Sequence, residues 1–316
     1  MKKIRVAVVG VGYLGRFHAE KYAAMTDVEL VAVVDADRSR ASQIADKLHT
    51  KVLDDAGRLS GLVDAVSVVV PTVHHHRTAK QLLEQGVHVL IEKPITVTLE
   101  QADQLIDLAV RKNLVLQVGH IERFNPAVTV VKPLLRSPRY MTAERAAPFT
   151  VRCTDVNVVL DLMIHDLDIV MDIAGSAPKE ISAAGASIIT KEIDTATARI
   201  MFHNGCIADV SASRVSDEKK RLLRIFDEDA VYTSDFQLQK ARAGRRGPGT
   251  AAELVSQELA TAKCDTLNEE IHAFIRSVRN GTQPMVTGIE GRRALSLALS
   301  ITDNINNGIS GFVPVD

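Results

Sequence analysis

The chain has 316 residues, 46% of them hydrophobic, with 38 Lys and Arg against 39 Asp and Glu and a formal net charge of −1. That length holds two ordinary domains, and the balanced charge provides no field for nucleic acid or an anionic membrane surface, so a small molecule is the expected partner. Three cysteines, Cys153, Cys206 and Cys264, are scattered without the spacing of a metal site or a disulfide scaffold, which fits the reducing cytoplasm.

The start, Met1-Lys2-Lys3 followed by apolar residues, has the outline of a signal peptide, but Gly10, Gly12 and Gly15 interrupt the run and no cleavage site follows. A buried first strand is expected instead. No stretch approaches the roughly 18 unbroken apolar residues of a transmembrane helix. Apolar, β-branched runs at residues 4–9, 30–34, 65–70, 87–91 and 115–118 alternate with helical patterns, the rhythm of a parallel sheet covered on both faces. Gly86 can end the helix before the fourth run, and Thr98 with Gln101 makes a capping-box pattern that opens the next.

After Gly119 the pattern changes. A very apolar helical stretch covers residues 158–173 and ends at Gly175, and alternating runs follow that read as antiparallel strands. Ala196, Ala198, Ile200 and Phe202 lead to Asn204-Gly205, a dipeptide suited to a two-residue type I′ turn, and residues 207–215 return. Further strands are expected at 221–226 and 230–236, then helices opened by Thr266 with Glu269 and by Thr287 with Glu290. The reading is an α/β chain with one dinucleotide-type domain at 1–120 and, at 121–316, an α+β domain with a mainly antiparallel open-faced sheet. The second domain is expected to hold substrate, and the free face of its sheet to join subunits into a homodimer or homotetramer.

Gly10-Val11-Gly12-Tyr13-Leu14-Gly15 is a GxGxxG between an expected strand and an expected helix, the context that gives this motif meaning. Gly10 permits the tight turn, Gly12 lets backbone approach a pyrophosphate, and Gly15 permits close helix packing, with the helix N-terminus aimed at anionic oxygens. Tyr13 and Leu14 belong to the same cofactor-contacting turn. Asp35 closes the second strand, placed to accept hydrogen bonds from an adenosine ribose and to repel a 2′-phosphate. The motif therefore reads as a Rossmann domain for NAD, with NADP the alternative if Arg38 serves a 2′-phosphate.

Lys93, in Glu92-Lys93-Pro94, falls at the carboxyl end of an expected parallel strand, where such sheets bind ligands; the proline restricts it to extended geometry and allows a cis bond. Asp161, His165, Asp168 and Asp172 are spaced i, i+4, i+7 and i+11, which places them on one face of the apolar helix. Such a stripe is either a buried hydrogen-bond network, a face turned to water, or a reacting group in which Asp161 orients His165 as a general base. His74-His75-His76 point in different directions at a helix start and make no metal site, and none is expected.

These motifs together, Gly10 to Gly15, Pro71 with His75, Glu92-Lys93-Pro94 and Asp161-Leu162-Met163-Ile164-His165, resemble those of the Gfo/Idh/MocA oxidoreductase family over essentially the whole chain. The resemblance implies a catalytic group of Lys93, Asp161 and His165 that oxidises a sugar hydroxyl. It also adds Thr72, His75, Glu92 and Lys93 to the cofactor-contacting residues. The stretch from Gly119 to Pro126, with the segment at 161–166, is similar to the branch of that family that oxidises the 3-hydroxyl of UDP-N-acetylglucosamine, and Arg123, Asn125 and His165 become candidates for substrate contact. For Arg123 and Asn125 the alternatives are an interdomain ion pair and a helix cap. Arg242, Arg245 and Arg246, in a glycine-containing loop, could meet a diphosphate. An inositol or free-sugar 2-dehydrogenase uses the same residues, and a dinucleotide-sensing regulator shares the fold, but a sensor has no need of Lys93, Asp161 and His165 together.

Overall fold

The structure, a computed structural model, describes residues 2–150, 156–248, 253–308 and 311–315; Cys153 and Gly249 lie outside the described residues. The chain divides into two compact units, residues 1–120 with 265–295, and residues 121–264 with 296–316.

The first unit is built on a parallel sheet of β1 (Ile4–Val9), β2 (Val28–Val34), β3 (Lys51–Leu53), β4 (Ala65–Val68), β5 (His88–Glu92) and β6 (Leu116–Gly119). Its order is β3-β2-β1-β4-β5-β6, which reverses direction between β1 and β4 and so opens a crevice at the carboxyl ends of those two strands. Val6, Ala7 and Val8 are fully buried, as a strand covered on both faces requires. The helices are α1 (Gly15–Ala24), α2 (Arg38–Leu48), α3 (His75–Glu84) and α4 (Leu99–Lys112). All five expected strands are present, the first with the expected bounds and the other four with shifted ends. The three-residue β3 was too short to stand out from the sequence. Thr98 caps α4 by accepting from the Gln101 N–H, while the Gln101 side chain reaches back to the N–H of Val97 rather than of Thr98. Gly86 takes a φ of +79° in the turn after α3.

The second unit begins with a 3₁₀ turn at Ile121–Phe124 and the short helix α5 (Pro126–Thr129). Its sheet has nine strands, β7 (Tyr140–Ala146), β8 (Pro178–Ala186), β9 (Thr195–Phe202), β10 (Ile207–Ser213), β11 (Lys220–Phe226), β12 (Ala230–Asp235), β13 (Lys240–Arg246), β14 (Leu254–Leu259) and β15 (Val313–Pro314). All its pairings are antiparallel except the central β7–β10 pair. Burial alternates residue by residue along β7 and β10, so one face packs inward and the other is the more open. A π-helical turn, Val159–Met163, runs directly into α6 (Ile164–Ala174), which ends on Gly175 at a φ of +59°.

Three local expectations are corrected. The β9–β10 hairpin pairs Met201 with Ile207 and closes Phe202 on Cys206, leaving His203, Asn204 and Gly205 as a three-residue loop. Only Gly205 takes positive φ, at +85°. A type I′ turn would need it at both central residues, and the three-residue loop with glycine in the left-handed position satisfies strand twist equally well. Arg242, Arg245 and Arg246 sit in the paired strand β13 rather than in a loop. The next helix, α7 (Thr266–Asn280), is capped by Asp265, whose carboxylate accepts from the Asn268 N–H; Thr266 is its first helical residue.

The chain then returns to the first unit. Gln117 on β6 donates to the Glu270 carbonyl on α7, and the Val118 N–H donates to the Val286 carbonyl. The last helix, α8 (Gly288–Asn306), opens with Thr287 hydrogen-bonded to Glu290 through both its N–H and its hydroxyl. Gly291 lies against β6, and a Cβ there would stand 2.6 Å from the Val118 side chain. The expected division at 120/121 is thus a crossing point, and residues 265–295 belong with the first unit.

Candidate active site

The glycine turn follows β1. Gly10 has a φ of +88°, and a Cβ there would stand 2.5 Å from the Val69 carbonyl oxygen; a Cβ on Gly15 would stand 1.8 Å from the Gly10 oxygen. Both positions therefore require glycine to close the turn. Gly12 is different, with only the Arg40 guanidinium within 4 Å of such a Cβ. Its backbone is open to an approaching ligand, just before the N-terminus of α1, where unpaired N–H groups favour anionic oxygens. Leu14 is the residue that precedes α1, and Tyr13 is exposed, its ring edge-on to Phe17 with the Arg16 guanidinium over it.

Asp35, just past β2, accepts from the N–H groups of Val11 and Asp37 at 2.8 and 2.9 Å. Its carboxylate thus braces the glycine turn, and it keeps lone pairs for a ribose hydroxyl. The nearest cation is Arg40, at 3.5 Å. Arg38, the expected alternative, is turned outward beside Asp54. This cradle of two obligatory glycines, an open backbone and a braced carboxylate fits a dinucleotide.

After β4, Pro71 precedes a 3₁₀ turn that starts at Thr72 and runs into α3 at His75. His75 is buried, with Nδ1 and Nε2 each 2.9 Å from a carbonyl oxygen, of Pro94 and Val70 respectively; burial holds its basicity below the usual histidine value. It ties the loop after β4 to the loop after β5. His74 is exposed and His76 bonds Gln104, so the three histidines diverge. Among the described residues no group of three His, Cys, Asp or Glu side chains is disposed to hold a metal ion.

Lys93 follows β5 and is half-buried, joined to Pro94 by a cis peptide bond. Glu92, expected at the cofactor, instead turns its carboxylate into the unit, against His18 at 3.1 Å. His18 Nδ1 lies 3.2 Å from Ser67 Oγ, which bonds the Tyr22 hydroxyl. This buried set was missed in the sequence, although Gly15, His18, Ala19 and Tyr22 form the inward stripe of α1 and a histidine in such a stripe was its signal.

In the second unit Asp161 sits within the π-helical turn and His165 in the first turn of α6, both partly buried. Helical irregularity of this kind frequently marks functional positions, because it changes the phase of the side chains it carries. The four-residue stripe divides here. Asp168 and Asp172 hold Arg123: Nε and Nη2 bond the Asp168 carboxylate at 2.6 and 3.1 Å, and Nη1 bonds Asp172 at 2.5 Å. Each guanidinium nitrogen thus meets a carboxylate inside the second unit, and Arg123 is an ion-pair anchor of α6. Asn125 is likewise committed, its Oδ1 capping α5 at the Ala127 N–H and its Nδ2 donating to Glu122 and to the Phe236 carbonyl. A second buried bridge joins Arg145 to Asp166 and Glu122. Burial raises the Asp166 carboxyl above its usual value despite that partner. On β13, Arg245 donates to the Tyr232 hydroxyl and Arg242 lies 3.9 Å from Glu258.

Residues 4–120 match the model of an oxidoreductase family with an NAD-binding Rossmann fold, and residues 136–232 match the GFO/IDH/MocA C-terminal domain. The chain is 39% identical to UDP-N-acetylglucosamine 3-dehydrogenase of Acidithiobacillus ferrooxidans, over 95% of this chain and 97% of that protein. A solved structure of that enzyme superposes with a TM-score of 0.92, covering 97% of this chain and 99% of the other. The myo-inositol 2-dehydrogenase of Thermotoga maritima is 27% identical over 93% of this chain and 94% of its own. Levoglucosan dehydrogenase in complex with NADH and levoglucosan, at 17% identity, shares the fold with a TM-score of 0.89 over 99% of this chain and all of the other. With both halves of its sequence matched in the order the family has them, this chain belongs to the Gfo/Idh/MocA oxidoreductases.

Proposed function

We propose that this chain is an NAD-dependent dehydrogenase that oxidises the 3-hydroxyl of UDP-N-acetylglucosamine to a ketone. The observation that carries this reading is the 39% identity, over nearly the full length of both chains, to an enzyme of that name. NAD in the glycine turn supplies the hydride acceptor. Gly10, Gly12, Tyr13, Leu14 and Gly15 bind its pyrophosphate, Asp35 its adenosine ribose, and Thr72, His75 and Lys93 border its nicotinamide end. On the sugar, His165 takes the hydroxyl proton as the carbon gives up its hydride, Asp161 orients His165, and the Lys93 ammonium stabilises the developing alkoxide. Lys93 belongs to the first unit and Asp161 and His165 to the second. We place the protein in the cytoplasm, where Cys206 and Cys264 stay free thiols. Among the described residues no helix is long and apolar enough to cross a membrane. We further assign the open face of the nine-stranded sheet to self-association as a homodimer or homotetramer; a monomer by light scattering would remove that assignment.

The test is a panel of UDP-N-acetylglucosamine, UDP-glucose, myo-inositol and glucose with NAD, read by NADH absorbance with a ketone trap and with Lys93→Ala as control. Turnover selective for UDP-N-acetylglucosamine is expected. Turnover with inositol alone would keep the mechanism and replace the substrate, a second reading favoured by relatives such as the scyllo-inositol 2-dehydrogenase of Bacillus subtilis, 27% identical over 97% of this chain. Comparable turnover with NADP would remove the Asp35 argument. Tight NAD binding without turnover would point to a sensor.

A further inference from the structure

The carboxylate of Glu92 lies in the interior of the first unit although its residue is the immediate neighbour of Lys93. It is held from two sides. Oε1 accepts from His18 Nε2 at 3.1 Å, and since a carboxylate only accepts, the His18 ring donates there. Oε2 accepts from the backbone N–H of Lys93 at 3.3 Å. Behind His18 the chain of bonds continues through Ser67 to the Tyr22 hydroxyl, linking α1 and β4 to the end of β5. Room for the carboxylate is made by Gly119 at the end of β6, where a Cβ would stand 2.9 Å from the Glu92 carboxyl carbon and both of its oxygens. Glu270 of α7 and Gln117 of β6 close the same cluster. Burial alone would raise the Glu92 carboxyl, but the His18 hydrogen bond and the charges of His18 and Lys93 bring it below its usual value. Burial and that neighbouring charge push Glu270 well above its own, so the cluster carries its negative charge on Glu92.

We propose that Glu92 is a positioning residue that acts through Lys93: anchored by His18 and seated in the space left by Gly119, its carboxylate fixes the strand end from which the Lys93 ammonium is presented. A buried, charged and fully engaged group next to a reacting one restricts the orientations of that neighbour, and such supporting groups are what preorganised sites require. The inference rests on the proposed role of Lys93.

The experiment compares the full-length protein with Glu92→Gln, which keeps the volume but removes the charge and, with a single accepting oxygen, keeps only one of the two accepted hydrogen bonds, alone and combined with Lys93→Ala. The expected result for Glu92→Gln is a fall in kcat on the order of tenfold, with the KM for the sugar, the NADH affinity by fluorescence and the thermal midpoint near wild type. In the Lys93→Ala background the same change is expected to cost no further turnover, because a residue that acts through Lys93 has nothing left to act on. Ser67→Ala, two hydrogen bonds away, serves if Glu92→Gln fails to fold, and is expected to give a smaller loss of the same kind. Full turnover in Glu92→Gln beside an inactive Lys93→Ala overturns the proposal, as do fully additive losses or a loss that follows NADH affinity and thermal midpoint. Near-normal turnover in Lys93→Ala overturns the role of Lys93 itself and this inference with it, a result distinct from the others.

Discussion

Glu270 is fully buried on α7, and neither of its side-chain oxygens has a hydrogen-bond partner in the structure. A carboxyl in that position keeps its proton well above the ordinary glutamate range, so the folded state binds a proton that the unfolded chain has released. Stability is then greatest at low pH and declines as pH rises above the ordinary glutamate value. Glu270→Gln removes that decline. Its unfolding free energy is expected to exceed the wild-type value by a margin that widens as pH rises above the ordinary glutamate value, measured by urea titration. A margin independent of pH would show that Glu270 is ionised in the fold. At this scale the sequence conveyed residue types but not their partners. Arg123 and Asn125 have the chemistry of sugar contacts, and only three dimensions show that Asp168, Asp172 and Glu122 already occupy them. Glu92 next to Lys93 invited a shared role at the cofactor, yet strand geometry sends neighbouring side chains to opposite faces.

Elements were legible where periodicity was strong. The parallel strands of the first unit are continuous apolar runs, and β9 and β10 alternate so clearly that their pairing followed from the pattern. What escaped was short, polar or a matter of phase. β3 has three residues, β13 carries four basic ones and resembles a loop by composition, and the π-helical turn before α6 leaves no mark in hydropathy. Helix α6 is held by its own buried charges as well as by apolar contacts, since Asp166 and Asp168 meet Arg145 and Arg123 out of solvent. Removing one member of such a set strands the other. Arg123→Ala is expected to destabilise the protein by about 3–5 kcal/mol, whereas exchanging Arg123 and Asp168 together for apolar residues of similar volume should cost much less. The two denaturant midpoints, compared at unchanged m-value, test this, and equal losses would contradict it.

The whole molecule was legible as two halves, each with the correct class of sheet, but the path between them was not. A sequence read from left to right suggests one boundary at residue 120, and no local pattern announces that residues 265–295 rejoin the first sheet. The signals that carry that return are contacts: Gln117 with the Glu270 backbone, Val118 with Val286, and Arg279 and Arg292 paired with Asp27 and Asp103. A fragment of residues 1–120 is therefore expected to be soluble only as a loosely packed state, without cooperative thermal unfolding. A fragment that joins 1–120 to 265–295 through a flexible linker should unfold cooperatively and bind NADH. Cooperative unfolding of 1–120 alone would show that the returning segment is dispensable.

That returning segment also sets a schedule. During synthesis the first sheet emerges early, but the helix that covers part of it is made only after residues 121–264 of the second unit, a wait of roughly 10–35 s at ~5–20 residues per second. For that interval the nascent chain exposes apolar surface from β6 that the last helices will later cover, including Leu116 and Val118. The dinucleotide half is the first to be begun, yet its sheet is covered only after most of the second unit has been made.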